Sequence, residues 1–378
     1  MCVTEFSPIY WFHEDEVYLP IDPKILVEKS ELYFNGKKIE FNGSIDELEF
    51  LDESGINHWL AIPNINLGYP DSKKDETIKS PYGIGPKNVS NFIKDFYKKY
   101  EKNYDNIIYY RKGRITISNN DFDANVFSGK WSPLQTILPG EYKIIQYFPF
   151  YFFNDFTNLH IGDWDSTVEI IINETKRKTW IRTSAHHYAW YSEMAKANQY
   201  QSLNNWINKW QNLKDNELGS IFNINKHPFI FVSLGGHGCY PTPGYSLRGL
   251  SIKLPLSDIG MVQIPVATEE RKIGKKYLIN ENIDFDKNKI KTYLQGAGIS
   301  ASKIEFCTYR LENVEDQPWY KKYMGRWGNR SKLDTWDSPI AAPNKENISK
   351  EIVLKKLKVE FQKGYKLELI FHNYHGLL

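Results

Sequence analysis

Cysteine is scarce: this chain of 378 residues carries 3, Cys2, Cys239 and Cys307. So few, so far apart, exclude a disulfide framework and a thiolate zinc site, and they fit a reducing compartment. Charge of one sign is also missing. Lys and Arg number 48 against 46 Asp and Glu, a formal charge of +2, so the chain lacks the global electrostatic footprint of a nucleic-acid binder. Long apolar runs are absent. The aromatic run Tyr147–Phe153 contains Pro149 and falls far short of the roughly 20 residues of a membrane helix. No basic stretch followed by an apolar one marks the start of the chain as a secretory signal. The expectation is a cytoplasmic protein with no transmembrane segment, which leaves peripheral membrane contact open. Neither Gly-x-Ser-x-Gly nor a Walker loop occurs, and no internal repeat is visible.

Aromatics are what the chain has in excess, 15% within a hydrophobic share of 41%, beside 25% charged residues. That composition builds a large packed core and excludes disordered, collagenous and coiled-coil proteins. Early on, Glu31-Leu-Tyr-Phe and Lys38-Ile-Glu-Phe flank Asn35-Gly36, a hairpin signal. Residues 61–86 read as loop. Phe92, Ile93, Phe96, Tyr97 and Tyr100 share the face of one amphipathic helix over 88–100. From Tyr142 the pattern turns to β-rich runs at Tyr142–Phe153, Thr167–Asn173, Thr179–Ser184 and Phe229–Leu234. A helical insert lies around Leu203–Leu213, and a helix and a strand are expected after Ser349. Three regions result. Residues 1–125 are a β-rich segment with one helix, packed on the core; 126–345 hold a β-sandwich with the helical insert near 198–214; 346–378 form a helix and strand tail. The fold class is mostly β with helical insertions, an α+β protein around a central β-sandwich.

Five of the nine histidines fall between positions 160 and 237, four of them in three strand-end motifs. The first, His160-Ile-Gly-Asp-Trp-Asp165, leads into Ser166-Thr-Val-Glu-Ile. Alternation along an extended chain puts Asp163, Asp165, Thr167 and Glu169 on one face and Trp164, Ser166, Val168 and Ile170 on the other. Two neighbouring carboxylates repel unless a cation, a shared proton or water separates them. One imidazole with several carboxylate oxygens suits Mg²⁺, Mn²⁺ or Ca²⁺ better than structural zinc. Asp155, shortly upstream, is a further candidate oxygen ligand.

The second motif is Ser184-Ala-His-His-Tyr-Ala-Trp190, where His186 or His187 is a candidate ligand or general acid/base. The third is the strand Phe229-Ile-Phe-Val ending in Gly235-Gly-His237-Gly-Cys-Tyr240, glycines that let backbone approach closely and a histidine at the rim. Each motif alone also has a plain reading: turn and strand-entry residues for the first, aromatic fillers for the second, a tight turn for the third. Their recurrence at strand ends in one β-rich region is what points to a site. Arg271-Lys-Ile-Gly-Lys-Lys276 reads as a solvated hairpin turn.

At these motifs the chain resembles the vacuolar protein sorting-associated protein 62 family. The residues concerned are Glu16-Val-Tyr-Leu-Pro20, Ile145–Tyr151 with His160–Asp165, Ser184-Ala-His-His, Gly235–Gly244 and Pro318–Gly328. Asp165 stands where that family usually has Glu. More distantly, His160, Asp163 and Asp165 are similar to the His-x-x-Asp-Trp-Glu motif of the necrosis- and ethylene-inducing-like proteins, whose β-sandwich binds a divalent cation and docks glycosylated sphingolipid head groups. This likeness implies a similar sandwich here, with Asp155 and His237 matching an upstream aspartate and a histidine beside the metal.

The expected site is therefore one divalent cation, Mg²⁺, Ca²⁺ or Mn²⁺, on Asp155, His160, Asp163 and Asp165. His186, His187 and His237 flank it as acid/base groups. Trp164, Tyr188, Trp190, Tyr240, Trp319 and Trp327 form an aromatic rim for a small-molecule, lipid or glycan ligand. Two functions compete on this sequence: metal-assisted chemistry on a lipid, isoprenoid or glycoside, and metal-dependent binding of lipid or sugar head groups without bond breaking. A third treats the cation as a fastener of strands.

Overall fold

The computed structural model describes residues 3–51, 57–63, 105–118, 139–155, 160–164, 166–185, 188–194, 220–253, 261–271, 274–283, 286, 288, 290–292 and 304–328. Strands are β1 (Ile9–Phe12), β2 (Glu31–Phe34), β3 (Lys37–Lys38), β4 (His58–Ala61), β5 (Asn106–Ile117), β6 (Gly140–Pro149), β7 (Tyr151–Asn154), β8 (His160–Asp163), β9 (Val168–Asn173) and β10 (Lys178–Ala185). They continue as β11 (Tyr188–Met194), β12 (Ser220–Ile221), β13 (Asn223–Ile224), β14 (His227–Val232), β15 (Cys239–Tyr240), β16 (Gly244–Lys253), β17 (Met261–Arg271), β18 (Lys276–Asn280) and β19 (Glu305–Asn313). Short helices α1 (Lys24–Glu28) and α2 (Pro318–Lys322) pack beside them.

A mixed 12-stranded sheet dominates, in the order β12-β11-β10-β9-β6-β5-β19-β18-β1-β14-β13, with β15 paired to β14. It curls, because β15 at one end packs against β10 near the other. The fold is thus mostly β. β1 and β5 are members of this sheet, so the first 125 residues supply strands to it and are not only a layer laid on its surface. Smaller sheets are β3-β2-β4, β16-β17 and the hairpin β7-β8.

Period-two alternation divides the side chains between two cores. On one side of the sheet, Ile108, Ile145, Tyr147, Val168, Ile170 and Ile181 join Tyr10, Phe12, Ile230 and Val232. On the other, Ile107, Tyr109 and Phe148 meet Phe150, Trp164, Trp319, Tyr323 and Trp327, with α1 and β4 closing over them. A buried polar row crosses this second face. Arg111 donates from Nε to Gln146 at 2.6 Å, Gln146 donates to Glu169 at 2.6 Å, and Arg182 lies 3.7 Å from Glu169.

Asn35 and Gly36 turn with φ of 48° and 83° between β2 and β3, the left-handed pair that a two-residue hairpin requires. The run Tyr142–Phe153 is two strands, not one. β6 pairs with β5 and β9, whereas β7 pairs with β8, and the chain changes sheets at Phe150, just after a proline that cannot donate to a ladder. The expected single face from Asp163 to Glu169 also fails. β8 ends at Asp163 and β9 begins at Val168, so the alternation restarts, and Trp164 and Val168 enter different cores. Arg271 is not a solvated turn residue. It is buried at the end of β17, donates from Nε to the Thr242 carbonyl at 3.2 Å, and stacks 3.8 Å over Tyr240. The expected helices over 88–100 and Leu203–Leu213 and the tail elements after Ser349 lie outside the described residues. Among the described residues no helix is long and apolar enough to cross a membrane.

Candidate functional site

β14 runs apolar and buried from Phe229 to Val232, then turns at Ser233–Gly238 into β15. Ser233 and the turn close on themselves, with His237 N–H donating to the Ser233 carbonyl at 3.1 Å and Ser233 N–H to that of Gly238 at 3.0 Å. His237 sits in this turn at φ +52°, a region that only a few per cent of non-glycine residues adopt. Its ring has no solvent exposure. Tyr151 of β7 stacks on it, 3.9 Å away and tilted by 3°, and Tyr18 meets it edge-on at 6.1 Å.

The β7-β8 hairpin delivers the carboxylate. Tyr151 pairs with Asp163 and Asn154 with His160. Gly162 between them has φ +72°, and a Cβ there would stand 1.9 Å from the Trp327 carbonyl oxygen, so only glycine fits that crossing. Asp163 is fully buried and receives His237 Nδ1–H at 3.1 Å and the Asn154 amide at 3.3 Å, both on Oδ2; His160 Nε2 lies 3.8 Å from its Oδ1. Asp155 is buried next to them, and its N–H donates to the Gly235 carbonyl at 2.9 Å, tying the hairpin to the histidine turn. Ser166 completes the tie by donating to the His237 carbonyl.

Glu16, from the N-terminal segment, closes the far side. It is 2% exposed, and its Oε1 lies 3.8 Å from His237 Nε2. That separation is an ion pair, too long for a hydrogen bond, and among the described residues His237 Nε2 has no hydrogen-bond partner.

Electrostatics follow from this clamp. Burial opposes charge on His237, but Asp163 and Glu16 outweigh it and push the imidazole up to about 9. Burial likewise opposes ionisation of Asp163, yet His160 and His237 hold its carboxyl well below the ordinary range. Glu16 is lowered despite burial by His237 and by the N–H groups of Gly235 and Tyr18. The group is a buried imidazolium between two carboxylates.

His160, Asp163 and His237, expected from the sequence, therefore meet, and Asp155 adjoins them through its backbone N–H. Asp165, His186 and His187 lie outside the described residues, as do the side chains of Tyr188 and Trp190 on β11. Trp164, Trp319 and Trp327 form one aromatic cluster, with ring separations of 6.0, 5.7 and 5.2 Å, all at most 2% exposed; Tyr240 lies under Arg271. Glu16, Tyr151, Asn154 and Ser166 were not expected as site residues. Glu16 had a signal only in the segment Glu16–Pro20 that carried the family resemblance, because nothing local ties it to a histidine over two hundred residues away.

Donors bound at about 2.0–2.5 Å to one ion stand no more than about 5 Å apart. His160 Nε2 and Asp163 Oδ1 meet that condition at 3.8 Å. Among the described residues no group of three or more His, Cys, Asp or Glu is arranged to hold a metal. No protein-family profile, curated protein or solved structure matches the chain.

Proposed function

We propose that the Asp163–His237 centre is a metal-assisted acid/base site, and that the protein is an enzyme acting on a small lipid, isoprenoid or glycoside substrate. The observation that carries the reading is His237 itself: fully buried, tied by Nδ1 to Asp163, with Nε2 outside hydrogen-bond range of any described residue. Buried polar atoms are nearly always paired, and an unpaired one calls for an explanation such as a catalytic role or a bound ion. In this proposal Asp163 fixes the ring and stabilises its charge, while Nε2 exchanges the proton with the reacting group. His160 and Asp163 would hold the cation with Asp155 and Asp165, a set supported by the likeness of this motif to the cation-binding motif of the necrosis- and ethylene-inducing-like proteins. A divalent ion supplies polarisation of a substrate oxygen or a more acidic bound water. His186, His187, Tyr188 and Trp190 are proposed to shape the substrate's surroundings, whereas Trp164, Trp319 and Trp327 pack in the core and Tyr240 lies under Arg271.

Head-group docking without chemistry asks for an exposed rim. The burial of Asp163 and His237, with neither exposed at all, favours the enclosed, catalytic version. Calorimetric titration of the full chain with Mg²⁺, Mn²⁺ and Ca²⁺ tests the metal: about one ion per chain is expected, with binding weakened in His160→Gln. No binding by the unmodified protein at millimolar metal would contradict the proposal.

A further inference from the structure

Glu16 is anchored more heavily than an ion pair with His237 requires. Its Oε2 accepts the Gly235 N–H at 2.7 Å and its Oε1 accepts the Tyr18 N–H at 2.9 Å. Its own N–H donates to the His13 carbonyl at 3.0 Å, and its carbonyl accepts Lys276 Nζ at 3.0 Å. One carboxylate thereby joins the segment before Tyr18 to the first glycine of the turn that carries His237.

That turn needs holding. His237 at φ +52° is a strained position for a residue with a Cβ, and such strain persists only where the surroundings over-determine it. Gly235 is in the left-handed region as well, at φ +68°, and its carbonyl takes the Asp155 N–H. Gly235 is thus gripped from both sides, by Glu16 through its N–H and by Asp155 through its carbonyl. Two residues on, the imidazole it positions donates to Asp163.

We propose that Glu16 is a positioning residue: it sets the Gly235–His237 turn so that the His237 ring meets Asp163 in one orientation, and through Asp163 it tunes the cation site. This rests on the metal reading above. Ligating carboxylates are held by hydrogen-bonded partners, and losing such a partner typically costs 10–100-fold in metal affinity. Glu16 stands one step behind that partner.

Two readouts on the full chain separate the inference from the reading it rests on. The first is the calorimetric Kd for Mn²⁺. Glu16→Gln keeps the shape but replaces one acceptor oxygen with an amide donor facing a backbone N–H, and should weaken Mn²⁺ binding by up to about 10-fold, the low end of the range for a direct partner. Glu31→Gln, at an exposed pair with Lys38, should leave it unchanged. The second readout needs no metal. A protected imidazole N–H proton resonance, assigned to His237 by its disappearance in His237→Asn, should be present at neutral pH and lost or broadened in Glu16→Gln. An unmodified protein that ignores Mn²⁺ overturns the metal reading, and the resonance then decides Glu16 alone. Mn²⁺ binding within twofold of the unmodified protein together with an unchanged resonance overturns the positioning role. A Glu16→Gln chain that fails to fold also counts against it, unless Glu16→Asp, which retains the charge, folds and partly restores both signals.

Discussion

His237 concentrates the physical cost of the site in one residue. Its backbone is strained, its ring is out of water, and its charge exists only because two carboxylates outweigh burial. The sign of its pH effect follows. A group whose folded pKa is raised contributes stability that is complete below its unfolded pKa near 6.5 and is lost as pH rises through its folded value. Metal-free protein should therefore lose stability as pH rises from about 6.5 towards about 9. Urea midpoints measured across that window should fall, and His237→Asn, whose side chain tolerates positive φ, should flatten the fall. A midpoint independent of pH in the unmodified protein would show that the imidazolium is not held as described. Asp163 acts in the opposite direction: its depressed carboxyl contributes stability above its unfolded pKa, which is lost in acid. His237, Asp163 and His160 were legible as candidates because unusual residue types recurred at strand ends. Glu16 was not, since an isolated glutamate in an extended segment has nothing local to distinguish it.

At the scale of elements, the site is the meeting of one turn, one hairpin and the segment around Trp327. The β14-β15 turn brings His237, the β7-β8 hairpin brings Asp163, and the Trp327 segment presses on Gly162 from behind. That segment is itself bound to β4, with Arg326 N–H donating to the His58 carbonyl and Leu60 N–H to that of Arg326. Gly162→Ala would put its Cβ 1.9 Å from a backbone oxygen at a positive φ, and a backbone atom cannot swing aside as the end of a side chain can. It should cost at least about 2 kcal/mol in urea unfolding and weaken Mn²⁺ binding together with stability; unchanged stability would mean the hairpin is not clamped there. The strands themselves were readable from β-branched and aromatic runs, and the Asn35-Gly36 turn from its dipeptide. Partition into sheets was not. Whether Tyr142–Phe153 is one strand or two depends on which partner each half finds, and β8 looked continuous with β9 because alternation cannot reveal where a strand stops.

Across the whole molecule, the curled sheet brings chain segments far apart in sequence to a single place, and a buried polar row keeps its strands in register. Arg111, Gln146, Glu169 and Arg182 lie opposite one another on β5, β6, β9 and β10, all at most 9% exposed. Removing one member strands a charge in the interior. Glu169→Ala should destabilise by about 3–5 kcal/mol, read by chemical unfolding, and a loss under 1 kcal/mol would show the row to be solvated. The aromatic excess was correctly a sign of a large core, and Trp164, Trp319 and Trp327 occupy its centre; composition alone could not tell a core indole from one beside a ligand. A cation bridging β8 at its His160 and Asp163 side chains is the proposed centre of the site. Anomalous diffraction from crystals grown with Mn²⁺ would locate it. The expected result is one strong peak within about 2.5 Å of both His160 Nε2 and Asp163 Oδ1, with His237 still bonded to Asp163 Oδ2. Saturating Mn²⁺ with no peak at that position, or with His160 and Asp163 bonded only to protein groups, would contradict it.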